Sequence, residues 1–399
     1  MTTPFPPSPT QPTAHRWWND PHVRALTAQT VVLAGVIWLG WSLVDNTLDN
    51  MQARGIRAGF GFLKDPAGFG VLFSLIPYSE GMSYFRVFLV GLLNTLLVSA
   101  IGVVLATLLG FVIGIARLSS NWLVSRLALA YIEVFRNIPL LLQIFFWYFA
   151  VIRSLPAARN SINLFNLGFL NNRGFYLPAP EAKPGFGWVA LALILALLIA
   201  FGWARYVRRK QERTGRRLPV LWVNAALIVA IPGLAFVALG APLHWSVPTL
   251  KGFNYSGGMD FIPELGALLV ALATFTAAFI AEIVRSGIES VSQGQREAAY
   301  ALGLKPRRSL RLVIIPQALR VIIPQLTTQY LDLFKNSSLA TAIGYPDLVA
   351  VFMGTTLNQT GRAVEIVAMT MAVYLFISLS ISLGMNTYNR VVALRGGRA

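Results

Sequence analysis

The sequence predicts an all-α, polytopic integral membrane protein with about eight transmembrane helices and both termini in the cytoplasm, and three observations carry that prediction. First, 55% of the 399 residues are hydrophobic and only 12% are charged, with a mean hydropathy of +0.61, whereas an ordinary soluble domain carries about 25% charged residues. Second, several uncharged runs reach the roughly 20 residues that cross a bilayer core. Third, Lys and Arg gather on alternate connecting segments, as the positive-inside bias requires.

The opening stretch MTTPFPPSPTQPTAHRWWNDP is proline-rich and has no basic region before its first apolar run, which is too long for a signal-peptide core. A disordered cytoplasmic tail is therefore expected over 1–24, followed by a first span, Ala25 to Val44, and an outside loop, together 25–84. Val87 to Ala116, Leu218 to Leu250 and Ile366 to Asn386 are the other secure spans, each uncharged over a bilayer length. Four more are shorter or carry charge: Leu127 to Ile152, Pro184 to Ala204, Leu265 to about Ile288, and Gln317 to about Gly344. If the tail is inside and the spans alternate, the inside segments are 117–126, 205–217, 285–311 and the end from Arg390, and the loop YVRRKQERTGRR is the strongest anchor among them. The turn-rich segments show no sustained period-2 alternation, which argues against a membrane β-barrel.

The net charge of +17 is spread along these inside borders, where it meets anionic lipid, and forms no basic module of the kind that binds nucleic acid. There are no cysteines and three scattered histidines, His15, His22 and His244, so neither disulfides, nor a thiolate metal site, nor an H-E-x-x-H pair is available. No catalytic constellation and no metal site is visible. No Gly-Lys dipeptide occurs in the chain, which excludes a G-x-x-x-x-G-K-[ST] phosphate loop.

One stretch departs from this oily pattern: QREAAYALGLKP, residues 295–306. Ser292 and Gln295 form an S-x-x-Q capping pattern, the alanines favour a helix of about two turns, and Gly303 followed by Pro306 ends it. Ala298 and Leu302 share a face, and Arg296, Lys305, Arg307, Arg308 and Arg311 form a positive fringe. So short a helix is unstable alone in water, so either headgroups or a partner protein should hold it.

The spacing identifies more than the charge does. Glu297-Ala298-Ala299, three residues, Gly303, nine residues, then Val313-Ile314-Ile315-Pro316 resembles the E-A-A-x3-G-x9-I-x-L-P pattern of ABC importer membrane subunits, with Val and Ile in place of Ile and Leu. The stretches 94–124, 133–151, 169–178, 277–288 and 335–349 likewise resemble the polar amino acid importers of the histidine/glutamine permease family, in particular the long first permeases of general L-amino acid and glutamate/glutamine/aspartate/asparagine systems. Gln325 and Phe334 depart from that pattern, which has a proline and a threonine there. The resemblance implies a five-helix type I permease core at 85–152 and 262–390, with a helix pair and loop at 153–261 and the first helix as additions, and a short tail at 391–399. It implies that 295–312 is a coupling helix, with Glu297, Ala298, Ala299, Gly303, Lys305 and Pro316 as coupling residues. The partners it implies are an ATPase in two copies, which binds ATP and Mg with no cofactor in this chain, a second homologous permease, a periplasmic amino acid binding protein and an L-amino acid substrate, at the inner membrane. An ion-coupled secondary amino acid transporter, driven through Glu133, Glu282 and Asp332, is the alternative.

Independently of any family, Glu133/Arg136, Glu282/Arg285 and Asp332/Lys335 are acid-then-base pairs three residues apart on expected spans, where such neighbours share a face. Unpaired charge at the bilayer centre costs at least about 2.5 kcal/mol per group, so these residues should turn toward protein or water. Counted from Leu127, Arg136 lies roughly 14 Å along its helix, near the midplane. Two readings stay open: structural salt bridges, or the lining of a substrate route by Glu133, Arg136, Asn137, Gln329, Asp332, Lys335 and Asn336. In the second, Arg136 meets a carboxylate through paired hydrogen bonds, and Asn137, Gln329, Asp332 and Asn336 meet an ammonium or side chain. Pro139 is expected to kink its helix, and Gly110-x3-Gly114 to pack closely on a neighbour. The outside loops 45–84 and 153–187 either receive a soluble binding protein or simply connect spans.

Overall fold

Close helix packing begins at glycines on one long helix. The computed structural model describes residues 21–53, 59–165, 167–215 and 219–396. In it α2 (Tyr84–Arg117) lies against α7 (Pro263–Glu289). A Cβ on Gly110 would sit 2.6 Å from the Cβ of Ile280, and one on Gly114 would sit 2.7 Å from the carbonyl of Ala281, so the two backbones approach only because these residues have no side chain. Gly287 does the same for α7 against Ile322 of α10 (Ile315–Asn336). The expected close packing of Gly110 and Gly114 is thus present, and α7 is the axis of the molecule: 61% of its most apolar stretch is buried.

Around that axis stand α3 (Trp122–Asn137) and α4 (Leu140–Phe145), which continues as a π-helical turn to Ile152, while α12 (Ala363–Gly396), after the short α11 (Leu357–Thr360), packs on α10. One core gathers Val98, Leu140, Ile144, Leu268, Leu272 and Tyr345. A second gathers Ala106, Ile280, Val284, Ile314 and Ile322, and a third joins Phe62, Phe88, Phe352 and Ile366. Among the described residues seven helices are long and apolar enough to span a membrane, and eight if α3 and α4, bent by 105° at their break, make one span.

The added elements depart from the sequence expectations. The first helix, α1, runs Pro21–Ala53, so the end of the expected tail is helical, and residues 1–20 of that tail lie outside the described residues. The expected span Pro184 to Ala204 is α5, Phe186–Thr214, which carries the helix on through the basic run 205–214 that was expected to be a loop. The expected span Leu218 to Leu250 is much shorter: α6 is Val220–Ala238 and ends before Gly240, whose φ is +73°. The apolar residues after it are in strands. The end of the chain, expected as a tail from 391, is helical to Gly396.

Eight strands flank the α5–α6 hairpin: β1 (Ile162–Leu164), β2 (Gly168–Asn171), β3 (Gly174–Leu177), β4 (Ala179–Ala182), β5 (Leu243–Ser246), β6 (Thr249–Lys251), β7 (Asn254–Ser256) and β8 (Met259–Phe261). Two pairings zip the segment before the hairpin to the one after it, β3-β8 in a four-stranded antiparallel sheet of order β1-β2-β3-β8 with Tyr176 opposite Asp260, and β4-β5, while β6-β7 is a local pair after the hairpin. The Tyr255 ring lies 4.6 Å from that of Phe169 and 5.2 Å from that of Tyr176. Strands of three or four residues are too short to show alternation in sequence.

Candidate coupling helix and translocation face

The short helix α8, Gln293–Ala301, forms where expected, but its ends are held differently. Ser292 is the N-cap and its side chain makes no capping bond. Gln295 instead accepts from Gln317 at the start of α10, Nε2 to Oε1, 3.2 Å, so the expected capping box is replaced by a tie to the next span. The C-terminal end closes as a Schellman turn: Gly303 N–H donates to Tyr300 O (2.8 Å) and Leu304 N–H to Ala299 O (3.1 Å), with Gly303 at φ +74°. Pro306 then opens α9 (Pro306–Ser309), and a π-helical turn, Leu310–Ile314, leads to Pro316 in the first turn of α10.

The helix presents two unlike faces. Ala299 is buried against the chain, and Arg296 Nη2 donates to Ile288 O at 3.0 Å. Outward stand Glu297, Ala298, Tyr300, Lys305 and Leu302, the last 80% exposed. Beside them is a hollow of about 520 Å³ lined by Glu289, Val291, Gln293, Arg296, Glu297 and Tyr300. An apolar tip on an exposed helix, backed by its own chain, is the geometry of a knob for a partner's groove.

In the broken span, Asn121 Oδ1 caps α3 by accepting from the Leu123 and Val124 amides, which starts the helix earlier than expected. Arg136 therefore sits fourteen residues past Trp122, about 21 Å along, in the last turn before Pro139. The expected Glu133–Arg136 ion pair does not form. Asn137 Nδ2 donates to Glu133 O (2.7 Å) and Oε2 (3.2 Å), and the Arg136 guanidinium lies over the Phe279 ring, 5.2 Å from its centre. Phe279 is one turn from Glu282, so Arg136 turns across to α7 rather than down its own helix. The second expected pair does form: Arg285 Nε donates to Glu282 Oε2 at 3.1 Å, and Arg285 also pairs with Glu289. The third pair, Asp332–Lys335, also forms, at 3.8 Å and with both side chains half-exposed or more.

What holds the break open was missed in the sequence. Gln143, 5% exposed, donates through Nε2 to Phe135 O and Ile138 O, both at 2.9 Å, replacing helix bonds that Pro139 forbids. Also missed was a buried polar knot beyond α10, where a 3-10 stretch, Ser337–Ile343, and a turn fold onto α2. Asn94 Nδ2 donates to Phe73 O and Pro346 O (both 2.9 Å), Leu348 N–H to Thr95 Oγ1 (3.0 Å), and Tyr345 OH to Asn94 O (3.2 Å). Asp347, outside the spans and 1% exposed, accepts at Oδ1 from the Ala350 amide (2.8 Å) and Thr341 Oγ1 (3.2 Å). Burial pushes its carboxyl up to about 7. The signal available was its place in KNSSLATAIGYPDLV, where a lone acid follows a turn dipeptide.

Comparison with known proteins assigns this architecture. The family described as binding-protein-dependent transport system inner membrane component matches residues 213–395. YhdX of Escherichia coli (strain K12), by name an amino-acid ABC transporter permease protein, is 55% identical over 376 residues, 94% of this chain and 95% of that protein. The general L-amino acid transport system permease protein AapQ of Rhizobium johnstonii is 48% identical over 375 residues, 94% of each. The chain belongs to the amino-acid ABC transporter permeases. The glutamate/glutamine/aspartate/asparagine transport system permease protein BztB of Rhodobacter capsulatus is 43% identical over 411 aligned positions, 94% of this chain and 95% of that protein.

The permease is accordingly a multi-pass inner-membrane subunit of an ABC importer, non-catalytic in itself, and works with a separate ATPase. Its polar residues fall into two groups. Glu133, Arg136 and Asn137 end α3, exposed, while Gln329, Asp332, Lys335 and Asn336 line the outer half of α10 at intermediate or full exposure. Both helices pack on α7, and among the described residues no hydrogen bond or ion pair joins the two groups. Arg320, Gln325 and Thr328 extend the exposed polar face of α10 toward α8. A spanning helix cannot offer such a face to lipid.

Proposed function

We propose that the permease passes L-amino acids through a path between this chain and a second, homologous permease, and that α8 takes up the motion of one of two ATPase copies, which bind ATP and Mg. The observation that carries the reading is the backed, outward-facing α8 with its Tyr300 and Leu302 tip. Glu297, Ala298, Ala299, Gly303, Lys305 and Pro316 are the coupling residues: Ala298 keeps the contact close, Gly303 makes the turn, and Pro316 starts the span that receives the push.

The polar faces of α3 and α10 form this chain's half of the path. Arg136, with no carboxylate within bonding distance among the described residues, is free to take a substrate carboxylate by a bidentate contact. Asn137, Gln329, Asp332 and Asn336 meet the ammonium or side chain, while Glu133 and Lys335 set the local field. A periplasmic binding protein delivers the amino acid at the face that carries β1–β8. Acidic, amide and general L-amino acid systems all occur among the relatives' names, so a broad panel is the right assay.

The test is uptake by proteoliposomes. Import that requires the co-reconstituted ATPase, internal ATP and the binding protein supports the proposal. Import driven by an ion gradient in the permease alone would replace it with the secondary-transporter reading.

A further inference from the structure

The far end of the α5–α6 hairpin carries a feature that coupling and translocation leave unused. On α5, Arg205, Arg208 and Arg209 line a cavity of about 740 Å³ together with Phe201, Ala204, Val207, Gln211, Glu212 and, from α6, Val220. Lys210 and Arg213 follow within the same turns, so five cations face one carboxylate. Among the described residues none of these cations is in an ion pair, although Lys210 lies over the Tyr206 ring, 5.7 Å from its centre. Their charge outweighs the partial negative charge at the end of α5. Phe201 and Ala204 form an apolar wall on the side toward the membrane, Val207 and Val220 stand among the guanidinium groups, and Arg208 and Arg209 lie about two turns beyond Phe201.

Two further observations place this cavity at the level of the headgroups. Trp203 and Tyr206 pair with ring centres 5.8 Å apart, and Trp222 at the start of α6 is 77% exposed. Such aromatic groups mark the border between acyl chains and headgroups. The hairpin is also peripheral: α6 buries no side chain, and Leu221, Val229, Leu234 and Val237 are all more than 70% exposed. In a bilayer such a surface meets acyl chains, and beyond Glu212 of the cavity itself the anionic groups at this depth are lipid phosphates.

We propose that this cavity binds the phosphate headgroup of an acidic phospholipid, with Arg205, Arg208 and Arg209 on the phosphate oxygens and the apolar wall along the first methylenes. Arg suits this role because its planar fork matches phosphate in a bidentate contact. The site gives the hairpin a fixed lipid partner where the rest of this chain buries none of the side chains of α6.

The experiment is native mass spectrometry of the full chain released from vesicles of phosphatidylglycerol and phosphatidylcholine, with lipid retention as the readout. The wild type should keep phosphatidylglycerol in preference to phosphatidylcholine. Arg205→Gln/Arg208→Gln/Arg209→Gln should weaken that retention by roughly a hundredfold, at about fivefold per cation, while Arg126→Gln/Arg390→Gln, on the same side of the membrane, should not. Because cytoplasmic charge also orients the hairpin, Arg205→Lys/Arg208→Lys/Arg209→Lys keeps the charge and should still lose retention relative to the wild type. Equal retention of both lipids, unchanged retention in either triple variant, an equal loss in the control, or displacement of the lipid by inorganic phosphate at millimolar concentration would each overturn the proposal.

Discussion

The axis helix α7 and the hairpin helix α6 have nearly the same hydropathy, 2.2 and 2.3 over their most apolar stretches, yet 61% of one is buried and none of the other. Both are rich in alanine, so small residues alone do not decide. The difference lies in what faces them. Opposite α7, α2 supplies Gly110 and Gly114 at one-turn spacing, and the backbones close to contact around Ile280, Ala281 and Val284. In the hairpin, a Cβ on Gly202 or Gly233 would meet nothing within 4 Å. In a bilayer, where lipid is as apolar as a side chain, matched gaps and buried polar bonds hold helices together, and hydropathy only places them in the membrane. The core has both of these, and the outward face of α6 has neither.

That contrast can be broken most severely at Gly110. Gly110→Leu must push α2 off the Ile280 side chain and the Ala277 carbonyl, an overpacking cost of about 3 kcal/mol, and should give a protein that inserts but elutes as aggregate in fluorescence-detected size exclusion. A monodisperse variant with normal uptake would mean that α2 and α7 are not locked. Next is Arg136→Ala. If the guanidinium takes the substrate carboxylate, the loss of a charged hydrogen bond worth about 1.5–3 kcal/mol should lower uptake of every amino acid tested by roughly ten- to a hundredfold. Unchanged kinetics would remove Arg136 from the path and leave its packing on Phe279 as its role.

A third test concerns the buried knot. Asp347 titrates near 4 when unfolded and about 7 when folded, so between those values the folded protein holds the extra proton. Raising the pH through that window should therefore lower stability, with no further change from this group above about pH 8. Asp347→Asn keeps the Oδ1 acceptor for the Ala350 amide and Thr341 and should flatten the fall, read as Tm against pH. A wild-type Tm that rises from pH 5 to 7 while the variant's stays flat would contradict the assignment.

Smaller still is Gly303→Val. No atom lies near the added Cβ, so the cost is the left-handed backbone alone, about 1–2 kcal/mol, and it falls on the coupling turn. Membrane insertion should be normal while ATP-dependent uptake drops, and full uptake with full ATPase docking would sink the coupling role. The smallest effect is expected for Gly233→Leu in the hairpin. With open space around it the change should fall within about 0.5 kcal/mol, and a large destabilisation there would show that the hairpin has a protein neighbour.

The parts legible in the sequence share a physical cause: each is set by residues close together in the chain. The short helix α8 and its turn could be read because Ser292, Gly303 and Pro306 have fixed local spacing, and the break at Pro139 because proline removes a donor. Glu282 and Arg285 pair as their spacing suggested. Glu133 and Arg136 have the same spacing and do not pair, because Asn137 takes the carboxylate and Phe279 of α7 takes the guanidinium. The pairings β3-β8 and β4-β5 were hidden because their halves lie on either side of a hairpin of more than fifty residues, and β1, β2, β6 and β7 because three or four residues are too few to show alternation.

By itself the sequence determined that the chain crosses the membrane repeatedly, which side its basic loops occupy, and that a helix ending at Gly303 stands out from the lipid. These follow from transfer free energies, charge and backbone preferences, all local quantities. Only the tertiary structure decided which apolar helices became the core, that Arg136 turns to α7, that Gln143 holds the break, and that Asp347 is sealed beneath α2. Those depend on the gap or the donor that a distant segment brings to the same place, and no single stretch of the chain contains both halves of such a contact.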